Sequence, residues 1–463
     1  MESRYFYVPF DVPANIKSLT VSYEYDKKNG ANVLDLGLFD ARFKPAETSV
    51  SGFRGWSGGR RKTIFVAQKS ATNGYLAGDI PVGTWRVILG LYKIVPAGVE
   101  VTVRIRLNEI DANAQAELND EQNKTFELPQ PKYLPPAPET ANGYTWFRGD
   151  LHMHTFYSDG SWTIPMLIGW ARASGLNFVG VTDHNTFAHH ADINRLQEQF
   201  KDLLVLRGEE VTTYGGHFNV WGLPNNKLID FRVAPTDSAR LQQIVQSVHQ
   251  LGLLASINHP TALCNGCSWS YGDWQKMDAI EIWNGPWDFQ DENALRQWDE
   301  LLQQNKRIVI VGSSDTHRPP LKNSQDGLAV GTPTNHMGMK NLDQKEFLAA
   351  LKNGRIYVTE NPIPSLQFNA QNKNTKIEMG GEIEAKQNQL IKFQVAAQNF
   401  AVGAKVLLIS GGQIAQQATI ENDNFVKEFA LRFEENGYAR LEIRASNNQL
   451  LALTNPIYVN FKQ

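Results

Sequence analysis

The sequence predicts an α/β protein in which a TIM-like strand-helix barrel is flanked by an N-terminal and a C-terminal β-sandwich-like module. Three observations carry this reading. Across residues 145–361 short apolar runs alternate with amphipathic helical stretches, and about seven such units build a parallel sheet long enough to close. Across residues 1–120 and again across 362–463, short apolar runs are separated by Gly, Asn and Pro turns, which is all-β punctuation. Between them residues 121–144 are polar and rich in proline, which removes amide donors and biases the chain to extended forms, so this stretch reads as a linker.

The elements follow in order. SLTVSYEYD, NVLDLGLFD, KTIFVAQ, GTWRVILGLYKI and VEVTVRIRL read as the N-terminal strands. In the middle region the helix PMLIGWARAS precedes the strand LNFVGVTDH, ADINRLQEQF precedes LLVLRGEEV, and ARLQQIVQSVHQ precedes LLASINHP. AIEIWN, RIVIVGSSDTH and RIYVTE continue the strands, with ENALRQWDELLQQ and QKEFLAALKN as the intervening helices. QLIKFQVAAQ, AKVLLISGG, NFVKEFALRF, YARLEIRAS and NPIYVNF return to β, with no strict internal repeat.

Composition narrows the function classes. With 463 residues, 20% of them charged and 42% hydrophobic, this is an ordinary globular chain. A net charge of -3 gives no reason to expect nucleic acid or an acidic membrane as partner. The opening MESRYFYVPFDVPANIK lacks a basic segment followed by an apolar run, and no 18-residue apolar stretch follows, so a cytoplasmic protein acting on a small molecule is expected. Cys264 and Cys267 are the two cysteines, too few for a disulfide framework. Their CxxC spacing has no second pair and no thioredoxin-like flanks, and they read as pocket or loop cysteines.

The position of the polar residues is the informative feature. The expected barrel strands end in Asp150, with His152 and His154 beyond; in Asp183 and His184; in Glu209 and Glu210; in His259; and in Asp315 and His317, while His217 lies in GGHFNVWG. Strand C-terminal ends form the face where such barrels build active sites. Six of the ten histidines belong to this set; His189, His190, His249 and His336 fall outside it and read as solvated or helix-face residues. In an HxH at a strand end the period of two sends both rings to one side. Imidazoles and carboxylates together suit Zn, Mn or Fe, and the set exceeds the four ligands of one tetrahedral ion, so more than one ion is expected.

GDLHMHTFYSDG, VTDHN, GEEVTT, GGHFNVWG, INHP and SSDTH together resemble the motif series of the PHP (polymerase and histidinol phosphatase) superfamily of metal-dependent hydrolases, over roughly Trp146 to Thr359. Within it the chain is most similar to the CehA/McbA-type branch, which includes an aryl carbamate hydrolase. The resemblance implies a distorted (β/α)7 barrel holding two or three divalent ions. It implies that His152, His154, Glu210 and Asp315 hold one ion, Glu210, His217 and His259 a second, and Asp159, His184 and His317 a third, with Glu210 bridging. Glu210 is preferred to Glu209 because the pattern is Gly-x-Glu and Gly208 sets the count. Asp159 stands where many members have a histidine, and an oxygen ligand changes the character of that third position. Asp150 and Asp183 are expected to orient ligand imidazoles.

Two neighbouring ions predict hydrolysis by a shared hydroxide, with Glu210, Asp315, His317 and Arg318 as the catalytic group and no serine nucleophile required. A phosphoesterase of small mono- or diesters is the first expectation, because the Arg318 and Arg148 forks match phosphate oxygens. Against it stand Trp162, Trp221, Trp269, Tyr271, Trp274, Trp283 and Trp287, which suggest an aromatic wall and a carboxyl ester, carbamate or amide of an aryl or apolar substrate.

Overall fold

Every long periodic stretch of the middle region becomes a helix, and four of the five helices carry a side-chain cap. Thr163 accepts from the Met166 amide ahead of Ile164–Ala173, Asp237 from the Arg240 amide ahead of Ser238–Gln250, and Asp343 from the Glu346 amide ahead of Gln344–Lys352. Asp288 and Asp291 form a reciprocal capping box at the head of Phe289–Gln303. His190–Gln197 lacks a side-chain cap and is fixed instead by burying Ile193 and Leu196. Residues 4–44, 50–124, 143–264, 266–272, 274–319, 329–373 and 375–461 are described by this computed structural model.

The helices pack on a mixed sheet, not on a closed barrel of parallel strands. Its order is Val309–Ser313, Ala279–Asn284, Ala255–Ile257, Gly216–Trp221, Leu204–Thr213, Phe178–Val181, Thr145–Asp150, Thr334–Met339 and Ile356–Thr359. Parallel pairing joins Thr145–Asp150, Phe178–Val181 and Leu204–Thr213 on one side, and Ala255–Ile257, Ala279–Asn284 and Val309–Ser313 on the other. Between these two groups the chain reverses. Leu204–Thr213 does not stop at Glu210; it runs on and folds back antiparallel as Gly216–Trp221, so Glu210 pairs with Asn219 inside a hairpin. The turn needs Gly216, whose φ of 131° no other residue adopts readily and where a Cβ would run into the backbone and ring of Trp269. Thr334–Met339 is a further antiparallel strand that the polar sequence TNHMGM did not announce.

The N-terminal region packs Tyr5–Val12, Gly83–Lys93, Val33–Phe39 and Phe53–Gly58 against Thr63–Ala67, Ser18–Tyr25 and Val101–Leu107. Alternate residues Leu34, Leu36 and Leu38 face Leu19, Val21, Ile64 and Val66 in its core. One helix interrupts this β reading. Ala112–Asn123 covers the LNDEQN segment that sequence assigned in part to the linker, because Asp111 caps it twice and Ala114 and Leu118 pack on Phe65. The proline-rich remainder of that expected linker, 125–142, lies outside the described residues.

At the C-terminal end Lys376–Glu378, Ser365–Gln371, Leu390–Gln398 and Asn424–Arg432 form one sheet. The facing strands Lys405–Ser410, Gly437–Arg444 and Leu450–Thr454 are continuous with the central sheet, since Leu450–Thr454 pairs with Ile356–Thr359. Phe368, Phe393, Val395, Val406, Leu408 and Leu441 fill the space between. Among the described residues, no helix is long and apolar enough to cross a membrane.

Candidate metal centre

Five chain segments that are remote in sequence deliver their polar residues to one point. At its middle is Glu210, whose side chain is 1% exposed. Its carboxylate lies 3.4 Å from His152 Nε2, 3.4 Å from His154 Nε2, 2.7 Å from His184 Nδ1, 3.0 Å from His217 Nδ1 and 3.3 Å from His259 Nε2. Asp315 Oδ1 stands 3.4 Å from His152 Nε2 and 3.0 Å from His154 Nε2. Asp159 Oδ1 reaches His184 Nε2 at 3.5 Å and His317 Nε2 at 3.4 Å at the wetter edge of the cluster.

Three subsets have ligand atoms close enough to converge on a single ion: His152, His154 and Asp315; His152, Glu210 and His259; and His154, Asp159, His184 and His317. The structure thus brings all nine expected ligand residues together, with three differences in grouping, the first being that Glu210 stands outside the His152, His154 and Asp315 set. His154 joins the outer set as well as the inner one, and His152 stands with Glu210 and His259 where the resemblance put His217. His217 remains in contact with Glu210 from the returning strand of the hairpin.

The backbone is strained where the ligands sit. Asp315 has φ 51° and His259 has φ 27°, left-handed conformations that a side-chain-bearing residue adopts at a cost and that concentrate at functional sites.

Electrostatics separates these groups. Burial alone would raise the Glu210 carboxyl, but the rings of His184, His152 and His217 outweigh it and hold it well below the usual carboxylate range. Asp315 is held down in the same way against its burial, chiefly by His152 and His154. His154 is pushed down to about 4 by burial and by the nearby His317 and His184, so its ring is neutral and keeps a lone pair.

The donor set fits divalent cations. His152 Nε2, both ring nitrogens of His154, Glu210 Oε2, His259 Nδ1 and Asp315 Oδ1 are buried without a hydrogen-bond partner. Buried polar atoms are normally satisfied, and so many orphans in one cluster of nitrogen and carboxylate donors match the requirement of Zn, Mn or Fe.

The supporting residues correct the expectation for Asp150 and Asp183. Neither holds a ligand imidazole. Asp150 accepts from the amides of Ser314, His152 and Gly331, tying three segments together, and burial pushes its carboxyl up to about 6. Asp183 accepts from the Thr155 amide and the Thr155 and Ser158 hydroxyls. The orienting group for His152 is Glu281, whose Oε1 is 3.0 Å from Nδ1 and whose Oε2 accepts from the His259 amide at 3.0 Å. Sequence reading passed over Glu281, although an acid inside the apolar run AIEIWN was the available signal.

Other expected site residues lie elsewhere. Arg318 is exposed and its carbonyl accepts from Thr316. Arg148 is buried in register with His336 beside Tyr357, away from the cluster. Trp162, Trp221 and Trp283 are core residues, at most 1% exposed, and Trp269 and Tyr271 line a separate groove along Ser238–Gln250. None of the seven aromatics lines the pocket that opens from the ligand cluster, which corrects the aromatic-wall expectation. That cavity, about 330 Å³, is walled by Pro260, Ala262, Ile282 and Ala294, with Thr261, Asn284 and Gln290 as neutral polar groups and Glu281, Asp288 and Asp291 as acidic ones. Cys264 and Cys267 do line it, but as a disulfide. His189, His190 and His336 are buried, not solvated, and His249 alone of that group is a partly exposed helix residue, bonded to Asp278.

No known family model matches the chain. An uncharacterized protein of Methanocaldococcus jannaschii is 26% identical over 149 residues, which is 30% of this chain and 81% of that protein. Two solved structures are also similar to it in part. A two-domain protein from Bacteroides vulgatus containing a predicted PHP-like metal-dependent phosphoesterase is 17% identical, covers 71% of this chain and 99% of its own, and superposes with a TM-score of 0.43. An amidohydrolase from Chromobacterium violaceum with bound sulfate is 16% identical, covers 37% and 87% respectively, and has a TM-score of 0.28. Overlaps this low carry no argument about activity.

Proposed function

We propose that this chain is a metal-dependent hydrolase of the PHP kind, acting on a small phosphate mono- or diester. The observation that carries the reading is the Glu210 carboxylate surrounded by five imidazoles, with Asp315 and Asp159 closing the set and several of these atoms lacking any partner. His152, His154, Asp159, His184, Glu210, His217, His259, Asp315 and His317 would hold two or three divalent ions. Such ions, when bound, lower the pKa of water and neutralise charge on the oxygens of a phosphoryl group.

The chain's own residues supply position and proton control. Glu281 and the Thr212 hydroxyl, 2.6 Å from His184 Nδ1, fix two ring orientations. His317, 32% exposed at the cavity mouth, holds its Nδ1 proton on the Asp315 carbonyl at 2.8 Å, which leaves Nε2, beside Asp159, to bind an ion. Asn284 donates to Glu281 and holds that carboxylate beside the cavity.

Among the described residues that line the cavity there is no lysine or arginine, and its carboxylates Glu281, Asp288 and Asp291 oppose an anion, which favours a second reading, hydrolysis of an uncharged carboxyl ester, carbamate or amide, that the motif resemblance to the CehA/McbA-type branch also supports. Elemental analysis paired with hydrolysis of p-nitrophenyl phosphate, bis-p-nitrophenyl phosphate and an aryl ester, before and after chelation, separates the two. Two or more ions with chelator-sensitive phosphate release is the expected result. Ester-only turnover promotes the second reading, and neither metal nor turnover overturns both.

A further inference from the structure

Asp159 is the least anchored of the nine ligand residues. Its side chain is 45% exposed, and besides the two imidazoles it meets the Ser158 hydroxyl at 3.4 Å. Its place is therefore set by the backbone of the loop from Thr155 to Ser161. One side of that loop is held from within: Ser158 Oγ donates to Asp183 at 2.6 Å, the Ser161 amide donates to the His317 carbonyl at 2.6 Å, and Gly160 lies so close to the His154 carbonyl that no Cβ fits.

The other side is held by the N-terminal region. Arg61 donates to the carbonyls of Phe156 at 3.1 Å and Ser158 at 3.2 Å, and Arg60 donates to that of Gly160 at 2.7 Å. Three alternate carbonyls are thus taken, bracketing Asp159. Both guanidinium groups are anchored on one carboxylate, Glu121 of the helix Ala112–Asn123, at 2.7 Å from Arg60 and 2.8 Å from Arg61, and Asn73 donates to the same group at 2.8 Å. Arg61 is 2% exposed and Glu121 8%. Burying a guanidinium is costly, and a fork that bonds two carbonyls and a carboxylate at once is a task only arginine performs.

We propose that Arg60, Arg61 and Glu121 are a positioning clamp through which the N-terminal region sets Asp159, and so the affinity of the outermost ion position formed by His154, Asp159, His184 and His317. This rests on the metal-site reading above. It makes the N-terminal β region a structural part of the metal centre, not an appended binding module.

The test measures ions bound per chain and the affinity of the weakest-bound one, by equilibrium dialysis of the full chain against Mn²⁺ and elemental analysis, with far-UV circular dichroism as the folding control. Arg60→Met is the primary variant, since Arg60 is partly exposed and its removal leaves the buried Arg61–Glu121 pair intact; Arg61→Lys and Asp159→Ala accompany it. Arg60→Met is expected to keep the wild-type spectrum and the inner ions while the outermost one binds about ten- to hundredfold more weakly, as does loss of a group that orients a ligand. Adding Arg60→Met to Asp159→Ala is expected to change nothing further. Wild-type ion number and affinity in folded Arg60→Met and Arg61→Lys overturn the clamp and leave the hydrolase reading standing. A wild-type chain that takes up no ion overturns both.

Discussion

Asn455 replaces a missing strand neighbour for Ile310: its Oδ1 accepts from the Ile310 amide at 2.9 Å and its Nδ2 donates to the Ile310 carbonyl at 3.1 Å. Ile310 belongs to the outermost strand of the central sheet, Val309–Ser313, whose free edge would otherwise bury unpaired backbone groups. Two residues further on, Asn335 does the same for Gly312, accepting from its amide at 3.0 Å and donating to its carbonyl. Side chains thus close the seam that a barrel would close with a strand, directly beneath Asp315.

Removing this relationship should cost stability without touching any ligand. Asn455→Ala leaves the Ile310 amide and carbonyl buried and unsatisfied and also loses a bond to the Ile356 carbonyl. About 1–3 kcal/mol for each of the two stranded Ile310 groups predicts a loss of at least about 2 kcal/mol, read as a lowered urea midpoint at unchanged slope. A shift of less than about 0.5 kcal/mol would show that the edge is satisfied in another way.

Glu210→Gln keeps the shape of the central side chain and removes its charge. The expected result is a folded protein whose bound metal falls and whose kcat/KM drops by at least about a hundredfold. Unchanged metal content and turnover in the purified variant would remove Glu210 from the centre of the site.

Glu281 tests the part of the site that sequence reading did not find. Glu281→Gln weakens the grip on His152 Nδ1 and on the His259 amide at once. Metal affinity should fall about ten- to hundredfold, with little change in unfolding temperature of the metal-free protein. Equal metal affinity in variant and parent would demote Glu281 to packing.

Acid should destabilise the fold before it titrates most carboxylates. Burial, with Arg148 nearby, holds His336 well below the ordinary histidine value of 6.5, and burial together with His189 and Arg207 takes His190 down to about 2. Both rings are neutral in the folded chain and charge on unfolding, so below pH 6.5 the unfolded state binds more protons and stability falls as pH falls. Each ring contributes a slope approaching about 1.4 kcal/mol per pH unit once the unfolded ring is charged. Comparing His336→Gln with the parent between pH 7.5 and 5 should show a shallower acid limb in the variant; parallel limbs would mean that His336 is protonated in the fold.

Much of the site was legible because a strand end is a place that sequence can point to. The HxH after Asp150, the VTDH and SSDTH ends and the GEE pair pointed to one face through a local rule, the position of strand ends, while Asp159 and the choice of Glu210 over Glu209 came from the family resemblance, and all nine residues meet. The aromatic wall was misread because a tryptophan near a strand end faces either the rim or the core, and local pattern does not distinguish them. Trp162 and Trp283 went inward with the helices that cover them.

What sequence alone determined was therefore the helices and most of the strands in the middle region and the residues that gather at the strand ends, since periodicity and capping act over a few residues. Only tertiary structure decided that the strand carrying Glu210 turns back as a hairpin, that Asn455 and Asn335 finish the sheet, that Glu281 steadies His152, and that Arg60 and Arg61 grip the Asp159 loop. Each of these joins residues distant in the chain through hydrogen bonds whose value comes from burial, and burial is a property of the assembled fold.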